Sequence, residues 1–528
     1  MGLAVMPFLR LARAGFVMAR EGVFGLAHLP DLPSGPRLAI GFARLFERRS
    51  VRDKSAELRL SDALNRLGPS YVKLGQFLAT RADVVGKEAA RELSALQDRL
   101  PAFSQKEAEA AVAEQLGKPV DAIFLDFGEP VAAASIAQVH PAIVIDRDGT
   151  ERKVAVKVLR PGVARRFKRD LDSFYLVARV VERFHPPSRR LRPVAIVDTL
   201  AQSVTLEMDF RLEAAGLSEM AENTAGDPGF RVPEVDWIRT SKGVLTMEWI
   251  DGRKMSDVEG LKEDGHDMEA LGAAVIQSFL RHTLRDGFFH ADMHQGNLFV
   301  EPDGTLVAVD FGITGRLSVR ERRVLAEILF GFITRNYRRV AEVHFEAGYV
   351  PANQDIDMFA QAIRAIGEPI HGHDASEISM ARLLTQLFEV TELFDMHTQT
   401  QLIMLQKTMV VVEGVARTLN PHLDMWKTAE PVVGDWIRDN LGPVGKLRDA
   451  GAALGALSRV ANDLPIFADR VGRMSEELES MTANGLRFDQ ATAEAIGKAE
   501  ARHTRSGRVA LWVIAIAVVV FVLASLSR

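Results

Sequence analysis

The stretch Phe289-His290-Ala291-Asp292-Met293-His294-Gln295-Gly296-Asn297, followed by Val309-Asp310-Phe311-Gly312, constrains this chain more than any other. It sets a carboxylate at Asp292, a carboxamide five positions on at Asn297, and a second carboxylate at Asp310. Leu298-Phe299-Val300 and Leu306-Val307-Ala308-Val309 read as two strands around a Pro302-Asp303-Gly304 turn, so the three side chains end in neighbouring loops. That is the donor set of a nucleotide-plus-magnesium site.

The same order occurs in protein kinases. There an H-R-D-x-x-x-x-N loop supplies an Asp that positions the attacking group and an Asn that ligates one magnesium, while the D-F-G Asp ligates the other. His290, Asp292, Asn297 and Asp310 stand at the matching places, with Ala291 where a kinase has Arg. A rival reading takes His290 and His294 as a zinc pair at i, i+4. The zincin pattern needs Glu directly after the first His, where this chain has Ala291, and no cysteine completes a thiolate site.

Zero cysteines also exclude disulfides, thiolate-held iron-sulfur clusters and a Cys nucleophile. An apolar content of 47% over 528 residues is ample for several cores, and a net charge of -5 gives no reason to expect nucleic acid.

Residues 1–40 are apolar and basic, but Arg10 and Arg13 interrupt what would be a signal-peptide core. Arg10, Arg13 and Arg20 fall in one sector at about 100° per residue, the pattern of an amphipathic helix that lies on a membrane or packs on the protein body. Residues 41–120 read as wholly helical, with a start signal at Gly68-Pro69-Ser70 and with Lys73 and Gln76 on one helix face. Taken alone, that spacing is a solvated face.

From about 121 to 255 the pattern is strand, small-residue loop, strand, turn at Asp148-Gly149, and a Val154-Ala155-Val156-Lys157 strand, the order of a kinase amino-terminal lobe. The nucleotide loop is Ala132-Ala133-Ala134-Ser135-Ile136-Ala137-Gln138-Val139, with alanine where a kinase has glycine. Alanine does not reach positive φ freely, so this loop should be less adaptable and should meet phosphate differently. Lys157 is the expected α/β-phosphate contact. Residues 195–217 read as one helix, on which Glu213 or Glu207 could pair with Lys157. Val232–Val235 and 243–250 read as strands, and Met247 to Gly252 resembles a hinge that holds adenine, with Glu248 and Ile250 as its candidate contacts. Residues 256–440 read as a helical lobe. After Gly312 a helix follows almost directly at 319–333, with no A-P-E triplet, so a peptide-binding activation segment has no room.

The tail continues as a helical linker over 441–505 and ends in an uncharged run from Val509 to Leu526, about 27 Å as a helix. Arg502, His503, Arg505 and Arg508 precede it, which by the positive-inside rule leaves the rest of the chain in the cytoplasm.

Lys73-x-Gly75-Gln76, the Ala132 to His140 loop, V-A-V-K, Glu207-x-Asp209, H-A-D-x-H-x-G-N and D-F-G together resemble the ABC1/ADCK/UbiB atypical kinase family, over roughly 40–440 and the anchor. The resemblance implies an α+β, bilobal protein-kinase-like fold with an N-terminal helical K-x-G-Q extension and a C-terminal transmembrane helix. Lys73, Gln76, Glu207 and Asp209 would form a family-specific pocket at the nucleotide site. ATP or ADP with Mg2+ are the implied cofactors. Ubiquinone-biosynthesis enzymes and polyprenyl-phenol lipids at a bacterial inner membrane are the implied partners, with room for a homodimer and none for nucleic acid. Gln295 stands where many relatives have Pro, with little consequence expected. The expected activity is that of an atypical kinase or ATPase supporting ubiquinone synthesis. Its alternatives are a kinase acting on a small molecule, lipid or protein, and a nucleotide-binding scaffold without turnover.

Overall fold

The computed structural model describes residues 2–26, 44–51, 55–79, 101–184, 191–372 and 400–442, together with 85, 93, 189, 386, 390 and 393–396. The chain divides into two units, 1–437 and 438–528; of the second only 438–442 are described. The expected linker from 443 onward and the run 509–526 lie outside the described residues, and among the described residues no helix is long and apolar enough to cross a membrane.

Among the described residues the first helices are α1 (Gly2–Arg20), α2 (Ala56–Leu67) and α3 (Pro69–Ala79). The break between α2 and α3 is the expected one. Gly68 takes φ 98°, a conformation that favours glycine, and proline follows at the first helical position. A side chain at Gly68 would also strike the Arg166 guanidinium, which donates to the Leu67 carbonyl at 2.6 Å. The next helix described in full, α4 (Gln105–Leu116), starts from a capping box in which Ser104 and Glu107 satisfy each other's backbone amides.

The upper sheet is antiparallel, in the order β1 (Asp126–Phe127), β3 (Ala137–Ile145), β4 (Glu151–Leu159), β6 (Val244–Glu248), with β2 (Ala132–Ala133) also paired to β3. Alternation decides its faces. Val154, Val156 and Val158 are fully buried and pack with Val112 of α4 and Phe124. Ala155 and Lys157 therefore point to the opposite face. Three helices serve that side of the molecule: α5 (Val163–Phe184), α6 (Pro193–Glu207) and α7 (Phe210–Thr224). The single helix expected over 195–217 is instead two. Asp209 breaks it, accepting the Arg211 amide as the N-cap of α7 while its own amide is bonded back to Leu206.

The second sheet runs β5 (Phe230–Arg231), β10 (Leu306–Ala308), β9 (Leu298–Val300), β7 (Arg253–Lys254), with β5 and β10 parallel. The strand expected at Val232–Val235 thus falls earlier, and Val235 contributes only a bridge to Met247. Helices α8 (Val258–Glu263) and α9 (Met268–Arg281) lead to β8 (Phe288–His290), which pairs antiparallel with β11 (Thr314–Arg316). Gly315 lies flat on the Phe289 ring, where any side chain would collide. Helix α10 (Val319–Ile333) matches the expected span and begins from a capping box at Ser318 and Glu321. Among the described residues there follow α11 (Tyr337–Ala347), α12 (Ile356–Gly372), α13 (Thr400–Leu419) and α14 (Met425–Leu441), of which α13 packs on α9.

Candidate nucleotide and metal site

The β9–β10 hairpin returns the chain as its length requires. The Val309 amide donates to the Asn297 carbonyl at 2.9 Å, so Asp310 begins its loop directly beside Asn297. Asp310 takes φ 63°, in the left-handed region that a short polar side chain tolerates. Asn297 is buried and its Nδ2 donates to the Asp292 carbonyl at 3.1 Å, closing the loop from 292 to 297.

His290 sets the loop from behind. Its Nε2 bonds the Val309 carbonyl at 3.0 Å and its Nδ1 accepts the Asp292 amide at 3.0 Å. The ring is neutral: burial pushes it below the ordinary histidine value, against the pull of Val309, Asp292 and Asp310. Both nitrogens serve the backbone, and the His294 Nδ1 accepts the Gly296 amide, so the two rings do not converge as zinc ligands. Phe311 is buried with its ring 4.6 Å from that of His290.

Lys157 joins the two lobes. Its Nζ donates to Glu213 Oε1 at 2.8 Å and Oε2 at 3.0 Å, and to Asp310 Oδ1 at 3.0 Å. Burial opposes its charge, but Asp310 and Glu213 outweigh burial and hold it protonated above the ordinary lysine value. The same burial pushes the Glu213 carboxyl up to about 7. Asp310 is held well below the ordinary carboxylate range, because Lys157 outweighs its desolvation.

The break at Asp209 resolves the two candidate glutamates. Glu213, in the first turn of α7, takes Lys157; Glu207, at the end of α6, pairs with Lys73 of α3. Lys73 lowers the Asp310 pKa and Glu207 raises that of Glu213, so the two ion pairs form one electrostatic network. Gln76 lies half-buried on the same helix. Asp209 does not join them: its carboxylate takes the Arg211 guanidinium at 2.8 and 2.6 Å.

The alanine loop is the tip between β2 and β3. The Ala134 amide donates to the Ala137 carbonyl at 2.8 Å, and no residue from 132 to 139 takes positive φ. Arg160 donates to the carbonyls of Ala134 and Ser135, both at 3.3 Å, and its amide to that of Ile136 at 2.7 Å. Ser135 is buried, and Val139 sits across from Lys157 in the β3–β4 register. Gln138, expected to face nucleotide, is buried and turned away. Its carboxamide clasps both backbone groups of Phe103, at 2.9 and 3.2 Å.

At the hinge, the Glu248 carboxylate is taken by Arg231 at 2.8 and 2.9 Å and its amide donates to the Glu234 carbonyl at 2.8 Å, which leaves its own carbonyl for a ligand. Ile250 is half-buried two positions on. Helix α13 adds contacts that the sequence reading missed. Thr408 Oγ1 donates to the Ala291 carbonyl at 3.0 Å, and Gln295 Nε2 donates to Thr418 Oγ1 at 2.9 Å. Proline at 295 could not make the second contact. No local pattern signals either contact, each spanning more than a hundred residues of chain.

A lysine held between an α7 glutamate and a D-F-G aspartate, above an H-x-D-x-x-x-x-N loop, defines an atypical kinase-like protein. Residues 95–344 match the ABC1 atypical kinase-like domain and residues 363–424 the UbiB helical domain. Proteins named "Probable protein kinase UbiB" are similar throughout. That of Marinobacter nauticus is 38% identical over 83% of this chain and 80% of its own, and that of Xanthomonas euvesicatoria 38% over 87% and 83%. That of Aeromonas salmonicida is 39% identical over 83% and 80%. A solved structure of Rv3197 with erythromycin from Mycobacterium tuberculosis covers 76% of this chain and 98% of its own, at 24% identity and TM-score 0.48. The chain belongs to the UbiB family.

Proposed function

We propose that this chain binds Mg-ATP and turns it over in support of ubiquinone biosynthesis, as a membrane-anchored atypical kinase or ATPase. The observation that carries the reading is the three-way bond of Lys157 with Glu213 and Asp310, beside an Asn297 whose nitrogen is already spent on Asp292. That arrangement leaves the Asn297 oxygen and the half-exposed Asp310 carboxylate as donors, and Mg2+ takes oxygen donors from one or two side chains plus phosphate. When bound, the metal would neutralise phosphate charge.

The chain's own residues do the rest. Lys157 would hold the α/β-phosphates, with Glu213 orienting it and the Asp310 carboxylate available to hold the metal. Asp292, half-buried at the loop mouth, orients the attacking hydroxyl or water. The alanine tip, tied to Arg160, covers the phosphates with little freedom, and the choice between ATP and ADP rests there. In the family reading the K-x-G-Q helix, held to α6 by the Lys73–Glu207 pair, would lie across the side where a peptide enters, which favours water or a small hydroxyl as acceptor over a protein. Turnover would drive the handling of a polyprenyl-phenol intermediate for neighbouring biosynthetic enzymes, with 509–526 holding the chain at the bacterial inner membrane and the catalytic lobes in the cytoplasm.

The test is Mg2+-dependent phosphate release by the purified full chain with added phenolic lipid. Asp310→Asn and Asp292→Asn should each abolish most of it, and unchanged turnover in both overturns the reading. Label from γ-labelled ATP appearing on the lipid, not as free phosphate, would make the protein a lipid kinase.

A further inference from the structure

The alanine tip is bound to more than its own strands. One guanidinium joins it to residues 101–105, the stretch by which the chain enters the upper lobe after the helical extension. Arg160 Nη2 donates to the Pro101 carbonyl at 3.0 Å and to that of Ala134 at 3.3 Å, while Nε donates to that of Ser135 at 3.3 Å. The same guanidinium lies 5.2 Å from the centre of the Phe103 ring.

Two glutamines stitch the rest of that stretch down. From β3, Gln138 clasps the Phe103 backbone, and its Nε2 also donates to His140 Nε2 at 2.8 Å. His140 Nδ1 is then the donor to the Gly128 carbonyl at 2.8 Å. Gln105 Nε2 donates to the carbonyls of Phe127 and Gly128 at 2.8 and 3.2 Å. His140 is fully buried, with its ring stacked on Phe127 at 4.6 Å. Residues 101–105 therefore form a fixed strap, and Arg160 is where the strap meets the tip.

The Arg160 amide donates to the Ile136 carbonyl at 2.7 Å, so this one residue engages the carbonyls of 134, 135 and 136 in succession. In a trans peptide each carbonyl lies opposite the following amide, so holding three carbonyls fixes three peptide planes. A planar guanidinium presents its donors in a rigid fork that spans several carbonyls together, which a point-like ammonium does not. The tip contains no glycine with which to take another shape.

We infer that Arg160 is a positioning residue for the nucleotide: it latches the alanine tip to the 101–105 strap and so presets the tip before nucleotide arrives. The inference rests on the nucleotide reading of the cleft. A preset tip loses little freedom on binding, whereas a released tip must first be ordered, which weakens affinity. The strap thereby gives the extension side of the chain a hold on how tightly nucleotide is kept.

Arg160→Lys keeps the charge and most of the stem but not the fork. In the full-length protein without nucleotide, backbone hydrogen exchange over residues 134–137 should speed up, while exchange in α9 and the melting temperature stay as in the unaltered protein. Mg-ADP titrated calorimetrically should bind about tenfold more weakly. Phe103→Leu, which removes only the aromatic face beside the guanidinium, should move both readings the same way and less far, and it carries the test if the lysine variant does not fold. Equal exchange in variant and unaltered protein overturns the latch, whatever the cleft binds. Faster exchange with unchanged Mg-ADP affinity overturns the positioning role. Faster exchange with no Mg-ADP bound by either protein would instead sink the nucleotide reading, and the inference with it.

Discussion

Lys157 Nζ lies 2.8 Å from Glu213 Oε1 and 3.0 Å from Asp310 Oδ1, so one ammonium ties a helix of the upper lobe to the loop that closes the lower hairpin. Lys157 keeps its place only while Glu213 balances the pull of Asp310. Replacing Glu213 with Gln should lower Mg2+-dependent phosphate release on the order of 100-fold, the usual cost of one misplaced charge-stabilising donor. Steady-state phosphate assays on folded variant protein measure this; a change of less than twofold would show that the glutamate is only structural.

The Lys73–Glu207 pair is largely shielded, with side chains 12% and 23% exposed. Removing the lysine leaves Glu207 to act on Glu213 without compensation. Lys73→Met should cost about 2 kcal/mol of stability in urea denaturation, and adding Glu207→Gln should restore much of it. Additive losses in the double variant would contradict the coupling.

Thr408 reaches across from α13 to the Ala291 carbonyl inside the catalytic loop. Thr408→Val removes that donor in a buried place and should cost about 1–3 kcal/mol, while Thr408→Ser should cost less than half as much. Denaturation midpoints of the two variants distinguish a lost hydroxyl from lost packing.

His344 is buried on α11, its Nδ1 bonded to the Val340 carbonyl at 2.7 Å and its ring 5.3 Å from that of Phe359. Burial holds its pKa below the ordinary 6.5. The unfolded chain thus binds this proton more readily than the folded one. The group's contribution to stability is complete above 6.5 and is lost as pH falls towards the folded value. His344→Gln should flatten that part of the stability profile, measured as unfolding free energy between about pH 5 and 8.

Much of the site was legible because its spacing is local. The hairpin between Asn297 and Asp310, the β4 alternation that aims Lys157, and the Ser318 start of α10 all follow from residues within a few turns of chain. The helix break at Asp209 was carried by a capping residue that the apolar pattern around it concealed, and without it Glu207 and Glu213 could not be told apart. The side-chain partners of Gln138 and Glu248 were hidden for another reason. Phe103 and Arg231 lie elsewhere in the chain, and only the folded protein shows these side chains already engaged. Contacts such as Thr408 to Ala291 leave no trace in spacing at all.

From Gly312 the chain passes through the three residues of β11, pressed on Phe289, straight into the Ser318 cap of α10. Many phosphotransferases are switched on by a mobile stretch at this very place, which swings aside once a hydroxyl on it is modified. Here that stretch is reduced to a riveted seam. The helix α3, whose lysine reaches the end of α6, offers the cleft another point of control.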